Sequence, residues 1–373
     1  MDMATHSIRP EMLTPGMQID HWRILERLGP RGQGALYRVE DVRQATPPLV
    51  LWLSSRRSHG HCGDRSARLQ ASQPHLSRLH GLGRWPSRED GFSFCVREDV
   101  RGQSLARWVE TVNPTFLQVA AVLNRLAATL DEVHARDTWQ RELHPDNVQM
   151  REGDQEPVLM DLRTGGNECL DTLLETPVSP EVQVFRSPES LRFLRSNLGR
   201  PHARHAYRIT DDLYSLGALA YWLVTGHAPF CASLPSEQLH TELELRAPLP
   251  PWEVNERVPK PLGAIILRLM SKLPEARAHS GESLCAELMV AVSAGARSMW
   301  ARRVFDWEHD GAGAEDSSRR VRRPAPPQPA PLPGPRLPRV VYFRSPSDRR
   351  AAEAQVAPRP DSSASVSPWS RMM

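Results

Sequence analysis

The sequence predicts an α+β fold of two lobes, a small β-rich N-terminal one and a larger helical C-terminal one, followed by a disordered tail. Three observations carry that prediction. Strand-like runs crowd into the first hundred residues, the apolar positions from Phe116 onward repeat at three and four, and LYSLGALAYWLVTG (213–226) is apolar almost all round. The last pattern belongs to a helix buried at the centre of a helical lobe, too short to span a bilayer.

Taken in order, residues 1–17 are polar and aperiodic and predict a disordered N-terminus. WRILERLGPRGQGALYRV (22–39) reads as strand, glycine turn and strand; PPLVLWLSS (47–55) and GFSFCVRED (91–99) supply two more. FLQVAAVLNRLAATLDEVHA, entered through Pro114 and Thr115, holds its helical period for about five turns. PLGAIILRLMSKL (261–273) and GESLCAELMVAVSA (281–294) are amphipathic helices that close the compact region. The expected domain therefore runs over 18–294, its N-lobe over 18–98 and its C-lobe over 99–294. From 295 the chain is expected to be mostly disordered and rich in Pro and Arg. Eight prolines lie between Pro324 and Pro338, which predicts a polyproline II spacer about 45 Å long at about 3.1 Å per residue, or a docking strip for an aromatic groove.

Of 47 basic residues in the 373, only Lys260 and Lys272 are lysines. Any mechanism that needs a lysine in the first two-thirds of the chain is excluded. The net charge is +3, and residues 294–373, with 14 Arg against 8 acidic residues, hold all of the excess. A folded part without a basic surplus argues against nucleic acid as a partner. The five cysteines, Cys62, Cys95, Cys169, Cys231 and Cys285, are scattered and never C-x-x-C, which predicts a reducing compartment and no cysteine-built metal site. With no apolar signal core at the start and no long apolar run, the expectation is a cytoplasmic protein without membrane contact.

Seven segments, in order, resemble the protein kinase fold of the bacterial serine/threonine kinases over about 270 residues. LGPRGQGALYRV resembles the glycine-rich loop, VLWL the third strand, WQRELHPDNVQM (139–150) the catalytic loop, MDL (160–162) the metal-binding segment, and FRSPES (185–190) the Ala-Pro-Glu segment. ITDDLYSLG with VTGHAPF, and KLPEARAHSGESL, complete the set. The resemblance implies that Asp212 holds the catalytic-loop backbone and that Glu189 pairs with Arg277 inside the helical lobe.

The resemblance also locates the departures. Trp52 stands where the family places the lysine that pairs the α- and β-phosphates, and a neutral indole cannot offset their charge. The helix glutamate that would hold such a lysine has only Asp64 near its position. Gly29, Gly32 and Gly34 keep the glycine loop, but Arg31 replaces a signature glycine. In the catalytic loop Gln140-Arg141-Glu142 replaces His-Arg-Asp, moving the proton-accepting carboxylate out by one methylene; about 1 Å of misplacement costs roughly 10²-fold in rate. His144 replaces the following lysine, and Arg97 stands where an apolar residue usually guards the adenine pocket. Asn147 and Asp161 match the two Mg²⁺ ligands; alternatively Asn147 hydrogen-bonds the loop backbone and Asp161 is a relic. Arg141 could also receive a phosphate carried by Thr176 or Ser179.

The leading functional expectation is a pseudokinase that acts in signalling by binding a protein partner, with at most weak binding of ATP and Mg²⁺ and negligible phosphoryl transfer. The alternative is a slow, active serine/threonine kinase acting on a protein substrate, with Arg31 or Arg38 reaching the phosphates. A third is an adaptor whose folded domain only presents residues 310–373.

Overall fold

The computed structural model describes residues 9–30, 34–59, 74–136, 138–160, 163–164, 179–197, 200, 205–307 and 321–325. Six strands, β1 (Gln18–Ile19), β2 (Trp22–Pro30), β3 (Gly34–Asp41), β4 (Leu49–His59), β5 (Leu79–Trp85) and β6 (Asp90–Glu98), form an antiparallel sheet in the order β1-β2-β3-β4-β6-β5. Strand periodicity alternates the side chains across it. Ala35, Tyr37, Val39, Leu49, Leu51, Leu53, Phe94 and Val96 point to one face and form the lobe's core with Ile19 and Trp22. The other face carries the half-buried Leu36, Arg38, Val50, Trp52 and Arg97.

After β7 (Gly102–Ser104) the chain becomes helical. Helix α1 (Leu105–Val112) is capped by the Ser104 hydroxyl, and α2 (Phe116–His134) by a reciprocal pair between Thr115 and Gln118. Strands β8 (Thr138–Trp139), β9 (Val148–Arg151), β10 (Pro157–Leu159) and β11 (Arg163–Thr164) frame the loop that follows. Then come α3 (Pro180–Gln183), α4 (Pro188–Ser196), α5 (Ile209–Thr225), α6 (Ser236–Leu245), α7 (Pro251–Val254), α8 (Lys260–Leu269), α9 (Gly281–Ala294) and α10 (Arg297–Trp300). Helix α5 is the hub: fourteen of its residues are buried, and α2, α7 and α8 pack around it.

Two expected boundaries need correction. The ordered chain begins before residue 18, because Pro10 and Leu13 are buried; the Tyr37 hydroxyl donates to the Pro10 carbonyl and accepts from the Leu13 N–H. The helical lobe also continues past 294. Trp300, Val304 and Phe305 sit in its core, and the Asn113 side chain clamps the Phe305 backbone, donating to its carbonyl at 2.8 Å and accepting from its N–H at 3.1 Å. Beyond them β12 (Asp306–Trp307) pairs with β13 (Val321–Arg322). Both boundary segments are short and lack a full period of either regular structure, so an aperiodic reading missed their anchors.

Candidate functional site

In the small lobe the site begins with Trp52. It lies on β4 in register with Leu36 of β3 and Cys95 of β6, on the face opposite the lobe's core. Its indole packs against Gly34, where the second arm of the glycine turn begins: a Cβ built on Gly34 would meet Trp52 Nε1 at 2.6 Å and Cε2 at 2.7 Å. The aromatic ring therefore lies directly against the first residue of β3. Gly29, on the first arm, has φ +136°, a conformation only glycine adopts without strain. Arg31, Gly32, Asp64, Asp161 and Thr176 lie outside the described residues.

Two guanidinium groups share the face with Trp52. Arg38 donates from Nε to Asp99 Oδ2 at 3.1 Å and pairs with Glu26 across the β2–β3 register. Arg97 stands in register with Val50 and places its Nε 2.9 Å from Cys95 Sγ. Arg38 is thus already committed to two carboxylates, and Arg97 lies along the sheet beside a thiol.

In the helical lobe, Asp212 organises the catalytic-loop residues. Buried at the start of α5, it accepts from the Gln140 N–H at 2.9 Å, from the Arg141 N–H at 2.8 Å, and from His134 Nε2 at 2.9 Å. The bonds hold Arg141 at φ 64°, the left-handed region that costs a non-glycine residue about 1–2 kcal/mol. The Arg141 guanidinium lies over the Tyr207 ring at 4.7 Å. Asn147, buried in the single 3₁₀ turn that follows, donates from Nδ2 to the Glu142 carbonyl at 2.7 Å. Of its two open roles, the backbone-holding one is therefore realised by its amide nitrogen. His144 stands 3.8 Å from Asp146 and 6.4 Å, ring to ring, from Phe185.

Glu142 carries the feature that the sequence did not expose. Its Oε1 accepts from Arg186 NH2 at 2.5 Å, and the Arg186 side chain is only 4% exposed. A charge-assisted bond to a buried guanidinium is short and strong, and it engages one of the two oxygens of the carboxylate at the proton-acceptor position. Arg186 stands in the FRSPES segment, beside the serine that caps α4; a basic residue next to that motif was the available signal.

The fold-keeping groups are assembled as the resemblance implies. Arg277, fully buried, forms a two-point pair with Glu189 at 2.5 and 2.9 Å and donates to the Ser271 and Thr210 carbonyls. Next to Asp212, Asp211 accepts from the Arg208 N–H, from Ser187 and from His205. Burial alone would raise its carboxyl, but the bonds from His205, Ser187 and Arg208 hold it below the usual range. Among the described residues, no three His, Cys, Asp or Glu side chains converge to hold a metal ion, and no helix is long and apolar enough to cross a membrane.

No protein-family model matches the chain. Serine/threonine-protein kinase Pkn1 of Myxococcus xanthus is 29% identical over 286 residues, covering 74% of this chain and 39% of that protein. PknD of Mycobacterium tuberculosis is 25% identical over 278 residues, covering 72% and 39%. PkaA of Streptomyces coelicolor is 29% identical over 230 residues, covering 61% and 38%. The matched region spans about two-fifths of the length of these relatives. Among solved structures, the kinase domain of Mycobacterium tuberculosis PknI superposes with a TM-score of 0.55 at 18% identity, covering 75% of this chain and all of that one.

Proposed function

We propose that this chain, which has the protein kinase fold and is distantly homologous to the bacterial serine/threonine kinases, is a pseudokinase: a kinase-shaped domain that works in signalling by engaging a protein partner and does not transfer phosphate. One observation carries the reading. The Trp52 indole fills the space beneath Gly34, which in this fold receives the nucleotide phosphates. An aromatic side chain occupies on the order of 150–250 Å² of surface and brings no positive charge. Phosphoryl transfer depends almost entirely on positioning and charge stabilisation, so an indole in the lysine's place supports at most weak binding of ATP and Mg²⁺.

Two further contacts support the reading. Glu142, at the proton-acceptor position, is tied to buried Arg186. Arg38, the arginine able to replace the missing lysine from a neighbouring strand, is held by Glu26 and Asp99, which counts against a slow kinase built on it. The family relationship makes proteins the partner class and leaves the compartment, proposed as cytoplasmic, to be tested by fractionation.

The test is a γ-phosphate transfer assay with radiolabelled ATP and Mg²⁺ or Mn²⁺, on the full chain and on a generic protein substrate. The wild-type chain is expected to incorporate label at background, and Trp52→Lys combined with Glu142→Asp to raise incorporation by at least about tenfold, equivalent to roughly 1.4 kcal/mol of barrier. Wild-type incorporation that is abolished by Asp161→Ala would overturn the proposal.

A further inference from the structure

A short C-terminal segment, Val321–Ala325, lies in a groove on the helical lobe far along the chain from the residues discussed above. Val321 and Arg322 pair as β13 with Trp307 and Asp306 of β12, and the Val321 side chain packs against the lobe's core. Arg323 then reaches inward. Its NH2 donates to Glu110 of α1 at 3.2 Å, its NH1 approaches the Gly226 carbonyl at 3.4 Å, and its guanidinium stands 5.8 Å from the centre of the Trp222 ring. His227 Nε2 meets the Pro324 carbonyl at 2.5 Å, and so donates to it.

The floor of the groove is shaped for this occupant. Gly226 ends α5 at φ +76°, a left-handed cap that favours glycine, and a Cβ there would lie 2.9 Å from Arg323 Cδ and 3.0 Å from Cγ. One residue thus both ends the helix and leaves the slot for the arginine stem. The groove supplies a carboxylate and a carbonyl for the guanidinium, an aromatic face beside it, a strand edge for the residues before it and an imidazole for the proline carbonyl. Each element reads a different atom of an extended basic segment that ends in Arg-Pro.

We propose that this groove is a docking site for an extended basic segment ending in Arg-Pro, and that the chain's own Val321–Pro324 occupies it in cis and closes it to a partner segment of the same chemistry. Only residues 308–320 separate β12 from β13. A tether that short gives the resident segment an effective concentration on the order of 1 mM. A free peptide with an intrinsic Kd of about 10 μM is then weakened by about 100-fold in the native chain. The proposal is independent of the phosphoryl-transfer reading, since it uses no residue of that site.

The test is fluorescence anisotropy with a labelled peptide of sequence RRVRRPAPP, titrated against full-length chains. Arg323→Ala, which empties the slot without touching its walls, is expected to bind the peptide at least about tenfold more tightly than the wild-type chain. Adding Trp222→Ala should reverse the gain, and Glu110→Ala added instead provides the same readout if the tryptophan variant does not fold. A scrambled peptide of identical composition is expected not to bind. Equal affinity of wild type and Arg323→Ala, no binding to either, or equal binding of the scrambled peptide overturns the proposal.

Discussion

At Gly34 a Cβ would lie 2.4 Å from the Leu53 carbonyl oxygen as well as 2.6 Å from the Trp52 indole nitrogen. Gly34→Ala is therefore expected to cost about 1–3 kcal/mol, measurable by urea unfolding, because overpacking forces the surrounding backbone to shift. Adding Trp52→Ala should restore only part of the loss, since the Leu53 carbonyl remains in place; full restoration would mean that the indole alone sets the constraint. Glu142 and Arg186 make a second residue-scale statement. Glu142→Ala leaves a guanidinium in a site that is 4% exposed, and breaking such a pair typically costs about 3–5 kcal/mol. The expected outcome is a large loss of stability and, on the proposed pseudokinase reading, label incorporation no different from that of the wild-type chain. If Glu142→Ala is as stable as wild type, the ion pair contributes nothing.

Lys272 adds a pH dependence. Its Nζ donates to the Leu243 carbonyl at 2.7 Å and lies 4.5 Å from the centre of the Phe230 ring. Burial, reinforced by the charge of Arg277 and opposed by Glu242 and Glu189, pushes its ammonium down to about 7. Between that value and the ordinary lysine range the unfolded chain binds a proton that the folded chain does not, so this group makes stability rise with pH across that window. Below about 7 both states are protonated, and its full unfavourable contribution is present. Unfolding curves at pH 6, 8 and 9.5 should show the rise, and Lys272→Met should flatten it; an unchanged slope in the variant would assign the rise to other groups.

At the scale of elements, periodicity was the legible quantity. GESLCAELMVAVSA coincides with α9, and the repeat from Phe116 with α2, because each carries several turns of apolar spacing and a capping pair at its start. The two strands flanking the glycine turn were legible for the same reason. Strand β5, LHGLGRW, was missed: two glycines interrupt its alternation, and it becomes a strand by pairing with β6. Helix α1 was missed although Ser104 caps it and Leu105, Trp108 and Val109 share its buried side. Within the site, positions fixed by motif order, such as Asp212, Glu189 and Arg277, were legible. The Glu142–Arg186 pair was not, since it joins residues 44 apart through two elements whose approach no local pattern records.

For the whole molecule, the division is between what holds the loops and helices of the helical lobe and what would perform chemistry. The groups that fix loops and helices are intact: Asp212 under the catalytic-loop backbone, and Arg277 with Glu189. Arg277→Ala is expected to cost about 3–5 kcal/mol, read as a fall in the denaturant midpoint. Where the resemblance places a lysine the chain has the Trp52 indole against Gly34, where it places the proton acceptor it has Glu142 paired with Arg186, and Arg38 on the neighbouring strand is paired with Glu26 and Asp99. The direct test is a calorimetric titration of ATP with Mg²⁺ into the wild-type chain and into Trp52→Lys. The account predicts no saturable binding by wild type up to about 1 mM and recovered binding, with a Kd of about 100 μM or below, in the variant. Saturable wild-type binding with a Kd below about 1 mM would contradict it.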